Sequence, residues 1–267
     1  MKITGSVFVV TGAGNGIGRE VALNLVRQGA RVACVDLSEA GLAETRVLAG
    51  AGAVRLTTHV LSVADRAAVE ALPETVLKAH GKVDGLINVA GIIQRFVHVE
   101  DLAIEEIEKV MAVNFWGTLY MVKAFLPVLK LRPEACIVDV SSMGGLVPVP
   151  GQGAYGASKA AVKLLTETLY AELRGTDIHV TVVFPGGVGT NITGNSGVEV
   201  PVASTPEGKQ PKVTTPADAA EQIVDAVAKG TFRVLIGNDV KSIDAISRVS
   251  PRRAIVLIAD QMKKLLG

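Results

Sequence analysis

Short apolar runs alternate with helical patterns along nearly the whole of this 267-residue chain. The runs are rich in β-branched residues and read as buried strands, while the segments between them repeat apolar residues at helical spacing. Strands that alternate with helices are joined by right-handed crossovers into a parallel sheet covered on both faces. We therefore predict an α/β fold, a doubly wound parallel sheet in a three-layer α/β/α arrangement.

The predicted elements follow directly from this pattern. The predicted strands are residues 7–10, 32–35, 54–57, 85–87, 135–140, 179–184 and 233–236. The predicted helices are residues 19–28, 39–49, 64–79, 103–131, 154–174 and 217–229, with a C-terminal helix at about 250–266. No domain boundary or internal repeat stands out, which indicates a single domain over residues 1–267.

Composition excludes several classes of function. The net charge is +1 and aromatic residues are only 4%, which argues against a nucleic-acid partner. The four histidines are scattered and the two cysteines lie in apolar runs, so no metal site is expected. No signal peptide and no apolar stretch of membrane-spanning length is evident. A cytoplasmic protein is the simplest expectation.

A glycine-rich turn links the first predicted strand to the first helix. It reads Thr11-Gly-Ala-Gly-Asn-Gly-Ile-Gly18, in the strand–turn–helix context where backbone N–H groups and a helix N-terminus bind a pyrophosphate. The strict G-x-G-x-x-G spacing is absent, and a purely structural turn is the alternative. We predict a Rossmann-type dinucleotide site with these turn residues in contact: Gly12, Asn15, Gly16, Ile17 and Gly18.

The second predicted strand ends in Asp36, where Rossmann folds carry an acidic residue that binds the adenosine ribose hydroxyls. A carboxylate there repels a 2′-phosphate. Leu37 follows it, at a place where an arginine would welcome that phosphate. The cofactor is therefore predicted to be NAD, with NADP disfavoured. An ordinary turn residue at a strand end is the alternative for Asp36.

Tyr155 and Lys159 lie four residues apart in a predicted helix, and such residues share one face. A neighbouring ammonium lowers the pKa of a phenol, which would yield a proton-transfer group near neutral pH. A solvated helix face is the alternative for an isolated pair of this kind.

These features occur with others in a fixed order. The chain carries the turn at 11–18, Asn-Val-Ala-Gly at 88–91, Asn114, Ser142, Tyr155 with Lys159, and Pro-Gly-Gly-Val-Gly-Thr at 185–190. In these motifs the chain resembles the short-chain dehydrogenase/reductase family in its single-domain form. The resemblance implies an oxidoreductase in which residues 1–267 form one NAD-binding catalytic domain.

The resemblance implies roles for four catalytic residues. Tyr155 exchanges a proton with the substrate oxygen, and Ser142 holds the same oxygen. Lys159 lowers the Tyr155 pKa and binds the nicotinamide ribose, while Asn114 anchors a water that extends the proton relay. Without the family, Asn114 could be a local helix kink and Ser142 a loop hydroxyl.

The remaining cofactor contacts are also implied by the resemblance. Val188 and Thr190 would fix the carboxamide. Val89 departs from the second Asn of the family's NNAG, and Ser62 stands where an Asp usually meets adenine. The further predicted cofactor residues are Ser62, Val63, Asn88, Ala90, Gly91, Pro185 and Gly186, together with Tyr155 and Lys159. For Asn88 the alternative is a structural residue at a strand end that braces neighbouring backbone.

The expected substrate is a hydrophobic secondary alcohol or ketone of steroid, acyl or polyketide type, because the candidate wall is mostly apolar. The predicted pocket residues are Gln94, Phe96, Gly144, Leu146 and Gln152. Arg95 could meet a carboxylate, although a solvated arginine is favoured. A non-catalytic dinucleotide-binding regulator and an epimerase or dehydratase are the alternative functions.

Two segments lie outside these motifs. Residues 190–216 are rich in Gly and Pro, and we interpret them as a mobile substrate lid, with a plain flexible insertion as the alternative. The C-terminal helix carries an apolar stripe of Ile255, Ile258, Met262 and Leu265. We expect this stripe to pack on its own subunit or on a neighbouring one, with contact to a membrane surface as the alternative. The family usually forms homodimers or homotetramers.

Overall fold

The computed structural model describes residues 1–198 and 213–266, without the side chains of residues 261 and 263–266. Seven strands form one sheet: β1 (Val7–Thr11), β2 (Arg31–Asp36), β3 (Leu56–Val60), β4 (Gly85–Asn88), β5 (Ala135–Val140), β6 (Ile178–Pro185) and β7 (Arg233–Ile236). All pairings are parallel, in the order β3-β2-β1-β4-β5-β6-β7. The predicted doubly wound α/β fold is confirmed.

Helices connect the strands. They are α1 (Gly16–Arg27), α2 (Glu39–Leu48), α3 (Arg66–His80), α4 (Ile104–Met111), α5 (Gly117–Leu129), α6 (Gly153–Glu172), α7 (Ile192–Ser196), α8 (Pro216–Lys229), α9 (Asn238–Val249) and α10 (Pro251–Leu266). A π-helical turn, Ala112–Trp116, joins α4 to α5 without a break, so the long helix predicted at 103–131 is present with a local distortion.

Two predictions of local structure were wrong. The strand predicted at 54–57 begins later, at Leu56, because Val54 falls in a 3-10 turn (Gly50–Arg55) where its side chain is exposed. Helix α9 was not predicted at all. Its apolar residues Val240, Ile243 and Ile246 recur at helical spacing, so the sequence did carry a signal for this helix.

The sheet separates two apolar layers, which accounts for the near-continuous apolar strands. Val10 and Val138 face one layer, together with α1 and α8. Val9 and Ile137, one position earlier in each strand, face the other layer, where Phe125 of α5 is fully buried. Successive strand residues point to opposite faces, so both layers are built from the same strands.

One helix is long and apolar enough to cross a membrane by length and composition alone, at Ile104–Leu129. This differs from the sequence prediction, which found no such stretch. The helix is the continuous α4–α5 unit, and Met121, Phe125 and Leu129 are fully buried against the sheet. We therefore interpret it as a core helix of the sheet layer.

Helix α10 packs on its own subunit, which was one of the alternatives predicted from the sequence. Ala254, Ile258 and Met262 pack against Val147 and against Ile243 of α9. Ile255 was predicted in this stripe, but it lies outside it and is exposed. The side chain of Leu265 lies outside the described residues. Contact of α10 with a membrane or with another protein stays a prediction.

The predicted lid falls only partly on described residues. Helix α7 follows Thr190, and the Ser196 hydroxyl accepts a hydrogen bond from the Ile93 backbone at 3.0 Å. Residues 199–212 lie outside the described part of the chain. Val188 and Thr214, on either side of the segment, pair as a parallel bridge. A lid function therefore stays a prediction.

Replacing Phe125 by Ala should lower the free energy of unfolding by about 3–5 kcal/mol, because it leaves a cavity in a close-packed layer. Leu131→Ala, just beyond the same helix at a side chain that is 81% exposed, is the control and should change it by less than about 0.5 kcal/mol. Urea unfolding followed by circular dichroism measures both. Equal effects of the two variants would contradict this assignment of the core.

Candidate active site

The polar motif residues gather at the carboxyl edge of the sheet, where ligands bind in open parallel sheets. Thr11 ends β1, Asn88 ends β4 and Pro185 ends β6, while Ser142 follows β5 by two residues. Thr11 ties two of these ends together, because its hydroxyl accepts hydrogen bonds from the Val89 and Ala90 backbones at 3.0 and 3.2 Å.

The glycine turn leaves no room for side chains. Gly12 and Gly16 have φ angles of 69° and 53°, in the left-handed region that favours glycine. A Cβ on Gly12 would lie 3.0 Å from the Ala90 nitrogen, and one on Gly18 would collide with the Gly12 carbonyl. The turn therefore packs α1 closely on β1 and presents its backbone to the edge of the sheet.

Asp36 closes one side of this turn. Its carboxylate accepts hydrogen bonds from the Gly14 and Ser38 backbones, both at 2.8 Å. Leu37 beside it is 72% exposed. The carboxylate thus shapes the turn as well as facing the cleft, a bracing role that the sequence did not reveal.

A cleft of about 710 Å³ opens between the turn, β2 and β4. Twelve of the predicted cofactor residues line it: Gly12, Asn15, Gly16, Ile17, Gly18, Asp36, Leu37, Ser62, Val63, Ala90, Gly91 and Thr190. Thr190 reaches the turn itself, since a Cβ on Gly16 would lie 3.4 Å from its methyl group. The mouth of the cleft has the shape and backbone donors that a dinucleotide needs.

Pro185, Gly186 and Val188 are not among the lining residues of this cleft. Pro185 is buried in β6, and the Gly186 backbone donates to Ile236 at 2.9 Å. The turn after β6 is instead held by Asp239, whose carboxylate accepts a hydrogen bond from the Gly187 N–H at 2.7 Å. Asp239 was not predicted, and only its position just after a strand could have signalled it.

Ser142 and Tyr155 meet across the edge of the sheet. The Ser142 side chain hydrogen-bonds the Tyr155 phenol, and this bond lowers the phenol pKa. Burial has the larger effect, so the pKa of Tyr155 is raised above its ordinary value. Lys159 is not among the groups that affect the Tyr155 pKa here, so a lowering of this pKa by Lys159 stays a prediction.

The Lys159 side chain is buried and has almost no exposure to solvent. Its ammonium donates to the Val140 carbonyl at 2.9 Å, and the residue is only 4% exposed. Burial lowers the pKa of Lys159 to about 8, against the opposing effect of the Asp139 carboxylate. The alternative of a solvated helix face for Tyr155 and Lys159 is therefore excluded.

Asn114 lies in the π-helical turn and is fully buried. Its side-chain oxygen accepts from the Ile92 N–H at 2.9 Å, and its amide donates to the Ile92 carbonyl and to the Ser158 hydroxyl at 3.0 and 2.9 Å. A Cβ on Gly91 would lie within 3.3 Å of both Asn114 and Lys159, so the three residues adjoin. A water held by Asn114 stays a prediction.

Asn88 was predicted as a cofactor residue, but its side chain turns inward. It is buried and donates to the Asp139 carboxylate at 2.8 Å. Asp139 also accepts from the Thr166 hydroxyl at 2.9 Å. Asp139 was not predicted, and the signal available was an acidic residue inside the otherwise apolar run of β5.

The predicted pocket residues divide into two groups. Gln94 and Gln152 are buried supports and do not line an open pocket: Gln94 accepts from the Tyr155 N–H at 2.9 Å, and Gln152 donates to the Gln94 carbonyl at 3.0 Å. Gly144 lies beside both reactive hydroxyls, since its Cβ would be within 3.6 Å of the Tyr155 ring and the Ser142 oxygen.

The outer part of the predicted pocket is apolar. Leu146 is half-buried and packs on the cluster of Val182, Phe184 and Val240, and Phe96 is half-buried. Arg95 pairs with Glu106 through a short ion pair at an exposed position, which agrees with a solvated arginine. No group of three or more metal-ligating side chains occurs in the described ranges.

Comparison with known proteins agrees with this geometry. Residues 6–200 match the short chain dehydrogenase family. SadH of Mycobacterium tuberculosis, named as an oxidoreductase, is 38% identical over 251 residues, covering 92% of this chain and 91% of SadH.

Solved structures agree as well. A short-chain dehydrogenase/reductase from Burkholderia phymatum in complex with NAD superposes with a TM-score of 0.84 at 28% identity, over 96% of this chain and 97% of the other. A short chain dehydrogenase from Burkholderia cenocepacia in complex with NADP gives 0.80 at 25% identity, over 97% and 99%. The chain is thus an oxidoreductase that belongs to the short-chain dehydrogenase/reductase family.

Proposed function

We propose that this protein transfers a hydride between NAD(H) and a hydrophobic secondary alcohol or ketone, with Tyr155 as general acid and base. One observation carries the proposal. The hydrogen-bonded hydroxyls of Ser142 and Tyr155 stand at the sheet edge that the glycine turn opens, and Lys159 lies one turn further along α6.

The residues divide the proton chemistry among them. A bound nicotinamide supplies or accepts the hydride. Burial keeps the Tyr155 phenol protonated at neutral pH, which suits proton donation to a substrate carbonyl as it is reduced. Ser142 donates a hydrogen bond to the same oxygen and stabilises its developing charge. In the oxidative direction, the Lys159 ammonium favours the phenolate that must accept the proton.

NAD is the proposed cofactor because of the charge at the ribose end of the cleft. The Asp36 carboxylate is held there by two backbone N–H groups, and the exposed neighbour Leu37 brings no positive charge. A 2′-phosphate would meet this carboxylate, and the neighbouring cation, Arg19, is already paired with Glu44 at 2.6 Å. A ribose with free hydroxyls would instead donate hydrogen bonds to it.

A hydrophobic substrate is proposed from the surroundings of the two hydroxyls. Met143, Val147 and Val149 follow Ser142 and pack with α9 and α10 in one apolar cluster, while Leu146 packs on another. Few polar side chains are available there to recognise a charged substrate. A non-catalytic dinucleotide-binding regulator is less favoured, because such a protein has no need for this joined set of Ser142, Tyr155 and Lys159.

Replacing Tyr155 by Phe should lower kcat by about 100- to 10,000-fold, because the proton donor is lost, while NADH binding persists. Tyr170→Phe is the matched control, since Tyr170 lies on the same helix at a partly exposed position away from Ser142. Turnover of a panel of hydrophobic ketones and NADH fluorescence measure the two effects. Full turnover by Tyr155→Phe would refute the mechanism.

The double variant Asp36→Asn, Leu37→Arg should shift the preference from NADH to NADPH by about tenfold or more, because a repelling charge is replaced by a phosphate-binding one. Asp36→Asn alone is the control, and it keeps an acceptor oxygen for the Gly14 N–H. Fluorescence titration with each cofactor measures the ratio. A wild-type preference for NADPH would overturn the role given to Asp36.

We also propose a homodimer or homotetramer that associates through the continuous α4–α5 helix and α6, where Trp116, Leu164 and Tyr170 are large and exposed. Leu164→Asp should shift the protein toward monomer, because the interface would bury an unpaired carboxylate. Val47→Asp, at an exposed position on α2, should not. Sedimentation velocity measures the state, and a monomeric wild type at micromolar concentration would reject the proposal.

A further inference from the structure

A carboxylate is enclosed beneath the reactive edge of the sheet. Asp139 is the fifth residue of β5 and has no exposed surface. Its two oxygens are used by different elements, one by Asn88 of β4 and the other by Thr166 of α6. The Asn88 side-chain oxygen has no hydrogen-bond partner in the described structure. The bond from its amide nitrogen to Asp139 is therefore the hydrogen bond that holds this side chain there.

Three consecutive residues at the end of β5 attach α6 to the sheet. Asp139 accepts from Thr166 at 2.9 Å, and the Val140 carbonyl accepts from the Lys159 ammonium at 2.9 Å. The Ser141 hydroxyl donates to the Lys159 carbonyl at 2.7 Å. Lys159 and Thr166 are two turns apart on one face of α6, so Asp139 lies under the same stretch of helix that carries the lysine.

The groups around this pair are almost all neutral. Asn88 comes from β4, Asn114 from the π-helical turn, and Tyr155 and Thr166 from α6. Within the described residues, Lys159 is the one charged group that affects the Asp139 pKa, and Asp139 is the one that affects the Lys159 pKa. Hydrogen bonds from Asn88 and Thr166 stabilise the Asp139 carboxylate most, and the Lys159 charge adds to them. For the buried Lys159 ammonium, the Asp139 charge is the influence that opposes the cost of burial.

We propose that Asp139 is a positioning residue for the reaction, a buried counter-charge that keeps Lys159 in its ammonium form beside Tyr155. The inference deepens the proposed function and rests on it for its catalytic meaning. The carboxylate does not touch the substrate or the cofactor cleft. It acts through Lys159, and through Lys159 on the phenolate form of Tyr155.

The direction of each effect follows from burial. Burial raises the pKa of Asp139 to about 6, so the carboxylate is charged at neutral pH. Burial lowers the pKa of Lys159 to about 8, and the Asp139 charge opposes that fall. Both groups are therefore charged between those two values. Removal of the carboxylate charge should lower the Lys159 pKa further. Lys159 would then lose its charge at a lower pH than in the wild type.

The test is Asp139→Asn, which keeps the shape of the side chain and its hydrogen-bonding capacity but removes the charge. The 13Cε chemical shift of Lys159 in 13C-lysine-labelled protein, assigned with Lys159→Arg, reports its protonation directly. The midpoint should fall by about one to three pH units, as expected for the loss of a nearby opposite charge. Alcohol oxidation should lose its alkaline activity over the same range.

Thr166→Val is the matched control. It removes one hydrogen bond from the same carboxylate but leaves the charge in place, so the midpoint of Lys159 should stay within about 0.3 units of the wild type. Circular dichroism and NADH binding check that both variants fold. An unchanged Lys159 midpoint in Asp139→Asn, or an equal fall in both variants, overturns the proposal.

Two further outcomes are separable. If no substrate is turned over but Lys159 still titrates lower in Asp139→Asn, the proposed function fails while the charge coupling stands. If Asp139→Asn does not fold, the wild type decides. Its Lys159 signal should show a second, smaller inflection near the Asp139 pKa of about 6, and a single inflection overturns the proposal.

Discussion

A parallel sheet that is covered on both faces leaves its inner strands almost no solvent along their length, and this constraint organises the whole protein. Polar side chains are tolerated where strands end, so the reactive groups collect along one edge. Thr11 and Asn88 end adjacent strands there, and Ser142 follows a third. The glycine turn adds backbone donors to the same edge. Site and scaffold therefore arise from one burial pattern.

Asp139 departs from that pattern, since it lies one residue inside its strand. An ionised group in such a place requires partners on several sides, and it receives them from Asn88, Thr166 and Lys159. The Thr166 bond, together with that from Lys159 to the Val140 carbonyl, also fastens α6 to β5. A helix that carries the proton-transfer residues is thereby held by side chains as well as by apolar packing, and its register against the strand is well defined.

Much of this arrangement could be predicted from the sequence, because strand periodicity and glycine spacing are local signals. The alternation of strands with helices and the place of the glycine turn followed from them. Helix α9 was missed although its apolar residues recur at helical spacing. The role of Asp239 could not be found, since a bond between distant residues leaves no local trace. The inward turn of Gln94 and the raised Tyr155 pKa depend on three-dimensional burial, which motif matching does not report.

The bridge between Val188 and Thr214 has an evolutionary consequence. The Gly189 N–H donates to the Thr214 carbonyl at 3.0 Å, so the residues on either side of the intervening segment are hydrogen-bonded to each other. The entropy of closing such a loop grows only slowly with its length. Insertions and deletions between the two anchors can therefore accumulate in descendants of this gene at little cost to folding.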